Sequence, residues 1–331
     1  MLPVIYRSIV ATGIALALWA PASFAASDCG LKQIASVPIE VTANNLLMMD
    51  VTINGIPVKM RVDTGGATSV LNQKFADRAG LPVESMQAAF YGLTGRALDR
   101  KTRVETLRLG SAVSRNADFA IMPAGDDGTG GEPVGLFGAD YLQNYDVEFD
   151  FAGGKMNLFD HQHCVDRVVY WAPEFFKSGI HYATGSILHT PMMNIAVDGK
   201  NMLGLIDTGA PTTVMRLATA EGRLDLSLDS PDVHKIGQGT GVEGVKLDTY
   251  THVFKSLTFG DITLHDTTMM IMPINTAAHV EKIGSHLKEN ATDEPDVLVG
   301  MSLLKMLHVY LSYSENALYY TIGKPKQAAA P

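Results

Sequence analysis

Cysteine is nearly absent from this chain: only Cys29 and Cys164 occur among its 331 residues. That is too few for a disulfide-dense scaffold, and no pair of C-x-x-C clusters suggests a structural zinc site. Tryptophan is equally scarce, with two residues. Positive charge is in deficit, since 26 Lys and Arg against 35 Asp and Glu leave a net charge of −9. No basic patch stands out, so nucleic acid is not expected as a partner. Past the first 25 residues no apolar run is long enough to cross a bilayer as a helix. What the chain does have is 46% apolar residues and 31 glycines, over a length that suits two lobes.

Residues 1–25 carry the pattern of a signal peptide. Arg7 gives a positive start, the run from Ile9 to Ala20 is apolar, and Ser23-Phe24-Ala25 offers small residues for cleavage after Ala25. The expected mature protein is exported, periplasmic or secreted, with no stable membrane anchor after cleavage. Charged Asp28 before Cys29 argues against a lipoprotein. In an exported chain two cysteines favour a Cys29–Cys164 disulfide, with two free thiols as the alternative. His161-Gln162-His163-Cys164 lacks a second ligand cluster at a useful spacing, so no metal site is expected.

The chain repeats itself. Asp50-Val51-Thr52-Ile53-Asn54-Gly55 matches Asn194-Ile195-Ala196-Val197-Asp198-Gly199, each an alternating strand running into a hairpin turn. Eight residues after each glycine stands an acidic triplet, Asp63-Thr64-Gly65 and Asp207-Thr208-Gly209, and 207 − 63 = 199 − 55 = 144. Further on, Leu107 to Gly110 matches Leu257 to Gly260, and Ile121-Met122-Pro123 matches Ile271-Met272-Pro273, both 150 apart. Leu136-Phe137-Gly138 matches Leu298-Val299-Gly300, and Val147, Phe149 and Phe151 match Val309, Leu311 and Tyr313, all 162 apart. The pattern predicts a first lobe over 26–165, a linker over 166–189 with no counterpart in the first copy, a second lobe over 190–325 and a tail over 326–331.

Short alternating segments between glycine-rich turns predict an all-β protein of barrels. Short helices are expected around Tyr141 to Gln143 and Leu303 to Met306. A third is expected in the polar insertion Asn275 to Asp296, where Val280, Ile283 and Leu287 share a helical face. That insertion is expected to be a solvated helix and loop rather than a lid.

Each triplet ends an apolar strand: Val58, Met60 and Val62 lead to Asp63, and Leu203, Leu205 and Ile206 lead to Asp207. Small residues follow, Gly66-Ala67-Thr68 and Ala210-Pro211-Thr212. One such triplet is an ordinary turn. Two in register, in lobes related by approximate two-fold symmetry, put two carboxylates face to face, where they share a proton and serve as acid and base on one water.

These motifs resemble the retropepsin-like and pepsin-like aspartic peptidases, in the bacterial form with two fused domains. The resemblance covers roughly Val37 to Ile322. It implies two acid-protease β-barrel lobes with the active site between them, Asp63 and Asp207 as catalytic residues, and Thr64, Gly65, Thr208 and Gly209 supporting their loops. It implies flaps at Tyr91-Gly92-Leu93-Thr94-Gly95 and Gly237-Gln238-Gly239-Thr240-Gly241, closing over a peptide or protein substrate. It implies no cofactor, and a monomer sufficient for activity because both aspartates lie in one chain. Gly66 departs from the alanine or serine usual after the first triplet. Three functions follow: an endopeptidase with an optimum between about pH 4 and 6, an inactive peptide-binding protein on the same fold, or a metallohydrolase, which the lack of histidines beside either triplet disfavours.

Overall fold

The structure, a computed structural model, describes residues 29–91, 97–182, 189–240, 246–274 and 294–323, and the backbone of 279–282 and 288–289. The expected signal peptide and the tail 326–331 lie outside the described residues.

The first half runs β1 (Gln33–Val41), β2 (Leu47–Ile53), β3 (Ile56–Val62), β4 (Val70–Asn72), α1 (Gln73–Arg78), β5 (Val83–Tyr91), β6 (Ala97–Leu109), β7 (Ala112–Met122), β8 (Gly135–Phe137), α2 (Ala139–Leu142), β9 (Asp146–Asp150) and β10 (Lys155–Phe159). Then come β11 (Phe176–Gly179), β12 (Met192–Val197), β13 (Lys200–Ile206), β14 (Val214–Arg216), α3 (Leu217–Leu224), β15 (His234–Thr240), β16 (Lys246–Phe259) and β17 (Ile262–Met272). The chain ends through β18 (His279–Lys282), β19 (Lys288–Glu289), β20 (Val297–Val299), α4 (Met301–Leu304), β21 (Leu307–Ser312) and β22 (Ala317–Ile322).

Two six-stranded barrels close on themselves. The first pairs β2, β3, β8, β4, β7 and β6 in order, and β6 returns to β2. The second pairs β12, β13, β20, β14, β17 and β16, and β16 returns to β12. Closure leaves no open edge in either barrel. The hairpin turns are those the sequence called for. Asn54 and Gly55 take φ of 48° and 82°, and Asp198 and Gly199 take 49° and 74°, the left-handed pair of a tight turn.

A third sheet joins the lobes in the order β1, β10, β9, β21, β22, β11. At its centre Val147 faces Leu311, Phe149 faces Val309, and Glu148 faces Tyr310. Since 310 − 148 = 162, the last pair are repeat equivalents, and the pseudo-two-fold axis passes between them. β11 lies within the stretch expected to lack a counterpart, yet it holds on β22 the place that β1 holds on β10. Its equivalence is one of pairing, and Phe176 to Gly179 resembles β1 too little in sequence to reveal it. The buried Glu148 carboxylate accepts hydrogen bonds from Asn157 at 2.7 Å and Tyr170 at 2.6 Å and lies 2.7 Å from His308. Trp171 stacks on His308 with ring centroids 4.1 Å apart.

Two expectations change. In the insertion, 279–282 and 288–289 are strands rather than helix, and β18 pairs antiparallel with β5, His279 opposite Tyr91 and Lys282 opposite Ala88. A polar insertion of one lobe thus adds a strand to a hairpin of the other, a main-chain contact that hydrophobic periodicity does not report. Helices α1 and α3 were not legible either: each is short, follows a strand directly and lacks a side-chain cap.

Cys29 and Cys164 are disulfide-bonded with Cα atoms 4.9 Å apart, and the Cys164 amide donates to the Cys29 carbonyl at 2.7 Å. The bridge closes a span of 135 residues, tying the start of the first lobe to its end. In the chain-entropy model a loop of that order stabilises by about 4 to 5 kcal/mol. Reduction is expected to lower the urea midpoint, Cys164→Ser should match the reduced protein, and a non-reduced digest should release the linked peptides. Two free thiols in that digest would refute the bridge.

Candidate active site

β3 and β13 deliver the two aspartates. Asp63 donates its amide to the Phe137 carbonyl at 3.0 Å, and Asp207 donates to Val299 at 3.0 Å, so each acid is anchored to the strand beside it. In β3, Met60 and Val62 enter the barrel core. In β13 the core residues are Met202 and Ile206, whereas Leu203 and Leu205 belong to a separate cluster on the other face. Leu203, Leu205 and Ile206, which the sequence shows only as one apolar approach to Asp207, thus divide between the two faces. The apolar character of both faces of β13 hid the alternation.

The two triplet loops interlock. The Thr64 hydroxyl donates to the Ile206 carbonyl at 2.6 Å and accepts from the Thr208 amide at 3.0 Å. The Thr208 hydroxyl donates to the Val62 carbonyl at 3.0 Å and accepts from the Thr64 amide at 3.1 Å. Both threonines are buried. The lock brings each glycine against the opposite acid. A Cβ on Gly65 would lie 2.5 Å from the Asp207 Cγ, and one on Gly209 would lie 2.3 Å from the Asp63 Cγ. Only glycine fits there.

The carboxyl groups are buried, 6% and 7% exposed, and near enough for each to act on the other's ionisation. Asp63 Oδ1 accepts from the Gly66 amide at 2.7 Å, while Asp207 Oδ1 accepts from Gly209 at 2.9 Å and Ala210 at 3.0 Å. The Gly66 amide therefore does in the first loop what Ala210 does in the second. Burial raises the pKa of Asp63, against the pull of Arg61 and of the loop amides. Asp207 is pushed up to about 8, by burial first and by the Asp63 charge second.

Behind the loops stand residues that the sequence reading missed. Ser69 Oγ accepts from the Gly138 amide at 2.8 Å and donates to Asp140 at 2.7 Å. In the second lobe the Gly300 amide donates to Thr213 Oγ1 at 3.2 Å, and Ser302 Oγ accepts from the Thr213 amide at 3.0 Å. Gly138 and Gly300 allow this contact, since a Cβ on either would meet a backbone oxygen at 2.6 and 2.2 Å. The signal was present in the repeat, since 213 − 69 = 144 and 302 − 140 = 162, the offsets of the motifs beside them. Arg61, two residues before Asp63, was passed over as well; its Nη2 donates to the Gly209 carbonyl of the other lobe.

The flap expectations fall partly on described residues. Tyr91 ends β5, where it pairs with Ala97 of β6 and His279 of β18. Gly237, Gln238, Gly239 and Thr240 lie on β15, and the Gly239 amide donates to Thr249 Oγ1 at 2.9 Å. Gly92, Leu93, Thr94, Gly95 and Gly241 lie outside the described residues. Among the described residues no group of three or more His, Cys, Asp or Glu side chains is placed to hold a metal ion.

A model of the aspartyl protease family matches residues 49–141 and 193–303, one stretch in each barrel. DNA damage-inducible protein 1 of Phaeosphaeria nodorum is 30% identical over 111 residues, which are 32% of this chain and 23% of that protein. The chain thus matches less than a quarter of that relative's length. A crystal structure of edgp aligns with 87% of this chain and 94% of its own, at 10% identity and a TM-score of 0.46. With one match to the family in each closed barrel, the chain belongs to the aspartyl protease family, as two retropepsin-like domains fused in one polypeptide.

Proposed function

We propose that the protein is an exported aspartic endopeptidase that hydrolyses peptide bonds with a water held between Asp63 and Asp207, and that it needs no cofactor. The observation that carries this reading is the pair of buried carboxyl groups, each against the opposite loop's glycine, in loops that Thr64 and Thr208 lock together. Export is supported by the disulfide, which suits an oxidising compartment, and by the signal-like start of the sequence. Among the described residues no helix is long and apolar enough to cross a membrane.

The dyad holds one proton. The ionised carboxylate takes a proton from water as the water oxygen bonds to the scissile carbonyl carbon, and the acid gives its proton to the carbonyl oxygen. Collapse of the resulting diol breaks the C–N bond. The proton held by the first aspartate passes to the amine, and one hydroxyl proton returns to the second. The dyad is left as it began, with one proton. The flap segments around Tyr91 and Gly239-Thr240 are proposed to cover the substrate.

Asp63→Asn and Asp207→Asn should each remove cleavage of a peptide library, by about a thousandfold or more if the pair acts as one unit. Substantial residual activity in either would overturn the assignment. The pH profile of kcat/KM should be a bell with its optimum on the acid side and its alkaline limb reaching toward neutral pH, unaffected by a chelator. Specific activity should not change on dilution, and a fall that tracks dissociation of a dimer would count against a self-sufficient monomer.

Stability gives an independent reading. The folded pKa of Asp207, about 8, lies above its ordinary value of 3.8, so the acid stabilises the fold when protonated and this stability is lost as pH rises between those values. Asp207→Asn cannot ionise. Its Tm at pH 7 should exceed that of the wild type, with the difference shrinking below about pH 4. Equal Tm values at both pH values would contradict the raised pKa.

A further inference from the structure

The two halves of the dyad are not equivalent, and the difference traces to one position. A row of residues crosses the first barrel in register, Met48, Arg61, Leu136, Val70 and Ala120. The matching row in the second barrel is Met192, Leu205, Leu298, Val214 and Met270. The rows are the same apart from a smaller final residue and one change of character: Arg61 stands where the second lobe has Leu205, and 205 − 61 = 144. Leu205 packs with Met192, Val214 and Leu298 in an apolar cluster. The corresponding apolar cluster of the first lobe is Val70, Leu98, Ala120, Met122 and Leu136.

Arg61 instead reaches across the cleft. Its Nη2 donates to the Gly209 carbonyl, and Gly209 is the residue seated against the Asp63 carboxylate. The guanidinium thus lies beside Asp63 at the joint between the loops. Its Nε is buried without a hydrogen-bond partner, which costs stability that a leucine would not cost. Other charged groups on the elements around the loops are already engaged. Lys59 bonds Asp50 at 2.9 Å, and Asp140 binds Ser69. Arg216 bonds the Ile274 carbonyl and Glu294, and Lys305 bonds Asn45 at 2.7 Å. The Arg61 charge pulls the pKa of Asp63 down.

We infer that Arg61 is the positioning residue that makes the dyad unsymmetrical, holding Asp63 as the ionised base and leaving the shared proton on Asp207 as the acid. This inference rests on the proposed peptidase reading for its kinetic consequences, although the protonation state exists whether or not the protein cleaves peptides.

The test compares wild type, Arg61→Leu and Arg61→Lys by two readouts. The first is the carboxyl 13C titration of Asp63 and Asp207, assigned with Asp63→Asn and Asp207→Asn. The lower macroscopic constant of the pair should rise by about 1 unit or more in Arg61→Leu, the usual effect of losing an opposite charge at close range, and should return toward wild type in Arg61→Lys. The second readout is the pH profile of kcat/KM. In Arg61→Leu its acid limb should move to higher pH by the same amount, a loss of about tenfold at a pH on that limb, and lysine should restore it. Superimposable titrations for all three folded proteins would overturn the inference and leave Arg61 as a tie between lobes. So would equal loss in both variants with no shift of the limb. An inactive wild type with the expected titration shift would instead refute the peptidase reading and leave the role of Arg61 standing.

Discussion

Four hydrogen bonds between Thr64 and Thr208 and the strands of the opposite lobe set the geometry on which the candidate site depends. Each hydroxyl both donates to and accepts from the backbone of the opposite lobe, so neither loop can move without leaving a buried polar group unpaired. Once the loops are pinned, each glycine lies on the opposite carboxyl group and the acids have no route away from each other. Their desolvation and their raised pKa values follow from that confinement. A serine in place of threonine would keep the hydroxyl and lose the methyl that helps to fix its rotamer, whereas valine would keep the shape and break the lock.

The lock works because the barrels arrive in register. Asp63 and Asp207 are bonded to Phe137 and Val299, and Gly138 and Gly300 turn the chain hard against the loops from behind. Beneath them the joining sheet places Glu148 opposite Tyr310 on the pseudo-two-fold axis. The sheet fixes the relative rotation of the lobes, and the threonines fix the contact at the top. The disulfide holds the outer strands of the first lobe on the same base, since it lies at the entry to β1 and just past β10.

The parts of this arrangement that were legible in the sequence are those carried by spacing. Asp63 and Asp207, the hairpin turns, and the triplets at Leu136 and Leu298 recur at fixed offsets, because each must meet the same backbone geometry in both lobes. The parts that were not legible depend on pairing between distant segments. Phe176 to Gly179 does the work of β1 through main-chain bonds that ask little of side chains. The same holds for β18 on β5, where a polar insertion reads as a solvated helix until its partner strand is known. In β13 both faces are apolar, one toward the barrel core and one toward a second cluster that includes Leu247 of β16, so alternation could not tell Met202 from Leu203. Arg61 was overlooked because a lone arginine in a strand is ordinarily a solvated surface residue.

Fusion of the two domains is what makes that arginine available. In a symmetric dimer of single-barrel chains, a residue two places before the aspartate appears on both sides of the cleft. Two guanidiniums would then face the same pair of acids, favour the fully ionised dyad, and remove the proton that one member must give. Two leucines would leave the acids equivalent, with the proton free to sit on either. A single chain escapes this constraint, because Arg61 and Leu205 are encoded separately and one side can carry charge while the other packs. The lobes remain alike where geometry demands it, at the threonines and glycines of the lock, and differ at Arg61 and Leu205, where the proposed dyad would gain a fixed direction of proton transfer.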